Sequence, residues 1–152
     1  MSWQDDIWTQ AQQKKSAKGK SAPKIKAVTE PSGSYAEGVY CLTAPIKVVS
    51  EANLREHWAA KNKRKAAQQV ALRLYWGQYV QKLPSPPMMV IFTRIGQRKL
   101  DDDNLANAFK GLRDQFAKMV GVDDGSDQIR FEYRQIATGK RQYGIQVEVK
   151  ET

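Results

Sequence analysis

Hydrophobic and polar positions along the chain predict alternating strands and helices. The segment GVYCLTAPIKVV, residues 38–49, mixes β-branched and aromatic residues and predicts a strand that Pro45 interrupts, so it would lie near a sheet edge or carry a bulge. The run MMVIFTRIG, residues 88–96, is mostly apolar over the length of one strand and predicts a central strand. The segments QIRFEYRQI and RQYGIQVEV alternate, and ATGK joins them, so they predict a C-terminal antiparallel hairpin.

Two stretches between these strands are helix-prone. Residues 51–80 predict one long helix or two shorter ones, with a basic block and an apolar stripe. The stripe consists of Trp58, Val70, Leu72, Leu74, Tyr75 and Tyr79. The second helix is expected from about Asp102 to Val120, ended by Gly121 at its C′ position. Its apolar residues step by four and three along one face. They are Leu105, Phe109, Leu112, Phe116 and Met119.

The element order β–α–β–α–β–β predicts an α+β (mixed α/β) fold. We expect one compact domain at residues 37–152, with a small mixed sheet, the C-terminal hairpin and two main helices. Residues 1–36 are expected to form a mobile basic arm, because the lysine-, serine- and alanine-rich stretch 11–35 has too few apolar residues to offset ordering entropy. Within the arm, the i, i+4, i+5 spacing of Trp3, Ile7 and Trp8 fits either a short docking helix or a frayed terminus.

The net charge narrows the classes of partner. The chain has 152 residues and a formal net charge of +9, which favours a polyanion such as nucleic acid over a charge that serves solubility alone. Cys41 is the only cysteine, so no intramolecular disulfide is expected. No secretory signal and no apolar run of membrane-spanning length is found, so a cytoplasmic location without a membrane partner is predicted.

Acidic residues are concentrated in the segment KLDDDNL, residues 99–105. A helix N-terminus favours one or two acids but does not account for three in a row. A calcium loop is excluded, because positions five and six counted from Asp101 are Leu105 and Ala106. Carboxylate oxygens do suit Mg²⁺, which completes its coordination with water and phosphate. Metal-assisted phosphodiester hydrolysis and a structural, capped helix therefore both remain open.

A second acidic group follows the same helix. It comprises Asp123, Asp124 and Asp127. A straight helix of ~18 residues would place the two groups about 27 Å apart, too far for one cation within one chain. A shorter or broken helix would reduce that separation, and a dimer could supply the second group from the neighbouring chain. The only histidine, His57, lies in the helix-prone stretch, so a catalytic triad or zinc site is not indicated.

The pattern LDDDNLANAFKGLRD…GVDDGSDQI resembles the core of the RusA family of endodeoxyribonucleases, the Holliday junction resolvases common in prophages. The family signature, Asp-x-Asp-Asn-Leu at the opening of a helix, matches Asp101, Asp103, Asn104 and Leu105. The segment APIKVVSEANLREHW also resembles the Pro-containing strand that precedes a Ser-x-x-Asn stretch in that family. The resemblance covers about residues 38–149 and excludes the arm.

The resemblance implies a homodimer that binds Mg²⁺, with Mn²⁺ as a substitute, and cuts four-way DNA junctions in recombination and repair. By position, Asp101 and Asp103 would be metal ligands and catalytic residues, with Asp124 preferred over Asp127 as the third acid. The family's usual catalytic lysine falls at Asn107, so Lys110, one turn further, would contact the phosphate. Apart from the resemblance, the basic block of Lys61, Lys63, Arg64 and Lys65 is either a solvated helix face or a set of DNA contacts, and Arg98 and Lys99 are further candidates for DNA contact. Asn107 also motivates an alternative, a protein that binds branched or duplex DNA without cutting it.

Overall fold

The computed structural model describes residues 28–50, 58–123 and 125–152. Predictions for the arm up to residue 27, for His57 and for Asp124 lie outside these ranges. The strands are β1 (Ser32–Ala36), β2 (Val39–Ala44), β3 (Met88–Gly96), β4 (Ile129–Ala137) and β5 (Gly144–Glu151). The helices are α1 (Trp58–Tyr75), α2 (Asp102–Ala108) and α3 (Lys110–Val120), and a π-helical turn (Trp76–Val80) follows α1. The description of α1 starts at Trp58 because the residues just before it lie outside the described ranges.

The strands form one mixed sheet in the order β1-β2-β5-β3-β4. β3 and β4 are parallel, with Phe92 opposite Tyr133, and the other neighbours are antiparallel. Helices α2 and α3 provide the crossover that a parallel pair requires. The predicted α+β class with a single mixed sheet is confirmed, and so is the central position of β3.

The predicted C-terminal hairpin is wrong. β4 and β5 run in opposite directions, but β3 lies between them and pairs with both. β3 is buried along nearly its whole length, and it lies inside the sheet with a paired strand at each edge. The alternating pattern and the short connection fit a hairpin as well as they fit two separated strands. The pairing of β3 with both strands is what separates β4 from β5.

The N-terminal side of the sheet also differs from the prediction. Residues 32–36, assigned to the mobile arm, form β1 and pair with β2 through a turn at Glu37 and Gly38, which have φ values of 51° and 78°. The arm therefore ends before Ser32. β2 stops before Pro45, as expected, but it is an inner strand because β1 covers its outer side.

The described helices pack on one face of the sheet, where the aromatic ring of Phe92 is fully buried. The ring of Phe109 stacks on it with a centroid separation of 5.1 Å. The predicted stripe of the second helix is confirmed, since Leu105, Phe109, Leu112 and Phe116 are buried and Met119 packs against them. The helix itself is broken at Phe109, whose N–H bonds to the carbonyl of Ala106 at 3.2 Å. Gly121 adopts the expected left-handed C′ conformation, with φ 75°.

The stripe predicted for α1 is only partly correct. Leu72 is buried, as expected, together with Gln68 and Trp76 at i−4 and i+4. Tyr75 is half-buried and packs against the core. Val70 and Leu74 point outward because each lies about 200° around the helix from Leu72. Exposed members are Trp58, Val70, Leu74 and Tyr79. Within the described residues, no helix combines the length and apolar character required to cross a membrane.

Candidate functional site

The three consecutive aspartates lie where the loop after β3 enters α2. Asp101 is the N-cap residue, with extended backbone angles φ −69° and ψ 162°, and Asp102 and Asp103 occupy the first turn. All three side chains are exposed. Asp101 makes no side-chain capping hydrogen bond. Their negative charge suits the helix N-terminus, but side-chain capping by Asp101 does not account for the cluster.

A buried arginine holds the loop in front of these aspartates. Arg94, near the end of β3, is only 5% exposed. Its Nε donates to the carbonyl of Val48 at 2.8 Å, and its Nη1 donates to the carbonyl of Arg98 at 2.8 Å. Burial lowers the pKa of Arg94, although arginine remains charged at neutral pH. The side chain therefore ties the segment after β2 to the loop that leads to Asp101.

Gly96 makes room for this arginine. A Cβ atom at Gly96 would lie 2.6 Å from Arg94 Cζ, closer than real contacts allow. Sequence analysis missed both residues. The available signal was a charged residue inside the apolar run MMVIFTRIG, which indicates a buried, hydrogen-bonded role rather than a surface one.

The far end of the loop is fixed to β4. The N–H of Leu100 donates to Gln135 Oε1 at 2.8 Å, and Gln135 Nε2 donates to the carbonyl of Leu100 at 2.6 Å. Between the two anchored ends, Arg98 and Lys99 are exposed. The structure thus brings these two predicted cations together with the aspartates on one short loop.

Helix α1 brings part of its basic block to the start of α3. Gln69 Nε2 donates to the carbonyl of Gly111 at 3.0 Å. A Cβ at Gly111 would lie 3.7 Å from Lys65 Cγ, so the Lys65 stem runs beside it. Lys110, the first residue of α3, is exposed, as is Asn107 in the last turn of α2. Lys65 and Lys110 therefore border the same end of α3.

The other members of the basic block differ in burial and in direction around α1. Lys63 is exposed, Lys61 is half-buried, and Arg64 lines a groove with Pro45 and Lys47. Residues at consecutive positions of a helix point about 100° apart. Lys61, Arg64 and Lys65 therefore lie within about 100° of one another around α1, whereas Lys63 points to the other side of the helix.

Asp123 and Asp127, the described members of the second acidic group, lie at the opposite end of the sheet. The N–H of Met88 donates to the carbonyl of Gln128 at 2.9 Å, which places the turn containing Asp123 and Asp127 beside the start of β3. Leu100 is held at the level of Gln135, six residues further along β4 than Ile129. At about 3.3 Å per residue this is ~20 Å. One cation cannot bridge that distance within one chain.

Binding of a divalent cation within one chain therefore depends on the first acidic group, Asp101 to Asp103. Two residues at this spacing within one helix point their side chains about 200° apart. Asp101 is extended and only Asp103 is helical, so this divergence does not apply to them. Two exposed carboxylates match the way Mg²⁺ is held, by one or two acids together with water and phosphate. In the described part of the chain, which omits Asp124, no group of three or more His, Cys, Asp or Glu side chains is placed to hold a metal.

Comparisons with known proteins do not assign the chain to a family. No protein-family model matches the chain, and a search of curated proteins finds no match either.

Proposed function

We propose that this protein is a Mg²⁺-dependent, structure-selective endodeoxyribonuclease that resolves four-way DNA junctions. One observation carries the proposal. Three exposed aspartates lie at the end of a loop that also presents Arg98 and Lys99, and buried Arg94 anchors that loop. In a chain with net charge +9, such an acidic site would repel DNA unless a cation were shared between the carboxylates and a phosphate.

Each group has a role in this proposal. Arg98 and Lys99 hold the DNA backbone next to the acids, and Lys110 approaches the same phosphate from the start of α3. Asp101 and Asp103 hold Mg²⁺. When bound, the ion supplies an activated water and offsets charge on the scissile phosphate. The neutral side chain of Asn107 leaves positive charge at the phosphate to these lysine and arginine residues.

We further propose that the protein acts as a homodimer. Because the acidic turn at residues 123–127 is ~20 Å from the level of Leu100 along the strands, the third acid would come from the turn of a second copy. Asp124 is the favoured residue in that turn. Two copies would also provide one site for each of the two strands that a junction resolvase cuts.

Asp103→Asn tests the site. The variant should bind a synthetic four-way junction as the wild type does and lose cleavage, because a metal ligand is removed while the cations that hold the DNA remain. Asp114→Asn on α3 is the matched control, since it makes the same charge change at a half-exposed acid outside the loop. Undiminished cleavage by Asp103→Asn would refute the proposed site.

A second candidate is a protein that binds branched or duplex DNA without cutting it. The exposed Asn107 favours it, since no lysine occupies that position on α2. Junction DNA incubated with the protein and Mg²⁺, Mn²⁺ or a chelator distinguishes the two. DNA that is bound but uncut with every ion would support the binding protein, whereas cleavage that disappears with chelator would support the nuclease.

A further inference from the structure

Helix α1 carries an apolar groove on the side that the core does not use. The groove has a volume of about 510 Å³ and is lined by Ala66, Ala67, Val70, Ala71, Leu74, Tyr75 and Gln78. Val70 is 44% exposed and Leu74 is 58% exposed. A second groove of about 430 Å³ adjoins it, shares Ala67, Ala71 and Tyr75, and extends to Pro45 and Ile46. Apolar surface of this shape on a basic, polar chain calls for an occupant.

The size of the groove favours a short segment over a second globular copy. Residues 66–78 span about 18 Å of helix. A face of that length and about 10 Å in width is well below the ~800 Å² that each partner buries in a stable dimer. Two or three apolar anchors from one short amphipathic segment would fill such a face.

The chain contains such a segment and delivers it to the right place. Trp3, Ile7 and Trp8 are apolar and closely spaced. The described chain begins at Val28, and a Cβ at Gly144 would lie 2.8 Å from Val28 Cβ and 3.2 Å from the carbonyl of Ala44. Ala44 directly precedes Pro45 and Ile46, which line the second groove.

The tether between the segment and the domain is long enough. Nineteen residues separate Trp8 from Val28. A flexible chain of that length has a root-mean-square span of about 25 Å, which exceeds the length of the groove. Tethering also gives the segment a high effective concentration at this surface without requiring a large interface.

Charges at the groove are opposite in sign to those in the segment. Asp5 and Asp6 lie between Trp3 and Ile7. Lys47 and Arg64 line the second groove. The acidic residues between the tryptophans would therefore meet cations at the rim of an apolar surface. This charge complementarity favours an orientation in which Asp5 and Asp6 face Lys47 and Arg64.

We propose that residues 3–8 of this chain dock in the α1 groove, with Trp3, Ile7 and Trp8 as anchors and Asp5 and Asp6 facing the cations at its rim. The inference is independent of the proposed nuclease function, because it depends only on the groove, the entry point of the chain at Val28 and the sequence of the segment.

Tryptophan fluorescence of the full-length chain tests the proposal. In a Trp58→Phe background, which removes an exposed tryptophan, the remaining reporters are Trp3, Trp8 and the buried Trp76. Adding Leu74→Glu, which places a charge in the groove, should shift the emission to the red and remove protection against acrylamide quenching. Leu83→Glu is the matched control, because Leu83 is 48% exposed and does not line the groove.

The outcomes separate the alternatives. Emission and quenching unchanged by Leu74→Glu, or changed equally by Leu83→Glu, would overturn the proposal. Protection that disappears on dilution, with a doubled mass in sedimentation, would assign the groove to a second copy and overturn docking within one chain. Retention of the wild-type melting temperature by Leu74→Glu shows that any loss of protection is not caused by unfolding.

Discussion

Replacing Arg94 with lysine tests how the loop before the three aspartates is held. The guanidinium uses two different nitrogens to reach two carbonyl oxygens, those of Val48 and Arg98, each at 2.8 Å. These acceptors belong to segments 50 residues apart in the chain. A lysine retains the positive charge but concentrates its donors on one atom, so it can serve one of the two carbonyls.

The expected cost follows from these contacts. A hydrogen bond to a charged group contributes about 1.5–3 kcal/mol, and a buried acceptor that loses its donor adds a desolvation penalty. With one bond lost, Arg94→Lys should lower the free energy of unfolding by about 2–3 kcal/mol. In urea, with a slope of about 1.5–2 kcal/mol per molar, the midpoint should fall by roughly 1–2 M without a change in slope.

Equilibrium urea unfolding followed by circular dichroism provides the measurement. Arg98→Lys is the control, since it makes the same substitution at an exposed side chain of the same loop and should change stability by no more than ~0.5 kcal/mol. If Arg94→Lys unfolds at the wild-type midpoint, the two hydrogen bonds do not hold the loop, and the account of how the aspartates are presented is wrong.

Two further predictions concern the core and the sheet. Phe109→Ala should cost about 3–5 kcal/mol, because the ring is fully buried against Phe92 and Tyr133; a loss below about 1 kcal/mol in the same urea assay would contradict this packing. Tyr40 donates to Glu151 Oε1 at 2.6 Å, and burial raises the pKa of Tyr40 above its usual value near 10. A raised pKa gives stability that is fully present below pH 10 and is lost as the pH rises beyond it. Tyr40→Phe should therefore show a smaller fall in melting temperature on the alkaline side, and an equal fall in both proteins would argue against this role.

Local patterns predicted the elements that their own residues determine. The apolar run of β3 has the expected bounds, and the spacing of Leu105, Phe109, Leu112 and Phe116 identified the face that packs on the sheet. These predictions succeed because a strand or helix places its side chains with a fixed period, whatever lies opposite. Strand β1 was missed because SGSYA has a weak apolar pattern, and it forms by pairing with β2.

The position of the aspartates at a strand-to-helix junction was predicted from sequence, but the residues that support them were not. Arg94, Gly96 and Gln135 act through contacts with segments distant in the chain. No sequence spacing encodes such contacts. A broken helix was expected to reduce the separation of the two acidic groups, and the helix does break at Phe109, yet the parallel pairing of β3 and β4 keeps Asp101 and Asp123 at opposite ends of the sheet.

The sequence by itself determined where strands β2 to β5 and the helices lie, which face of the second helix is buried, and that acids and bases meet in residues 98–103. Tertiary structure alone decided that β3 separates β4 from β5, that α1 carries an apolar groove, and that Arg94 anchors the acidic loop. The physical reason is that periodicity and charge are local properties of the chain, whereas strand order and buried hydrogen bonds depend on which distant segments compete for the same neighbours.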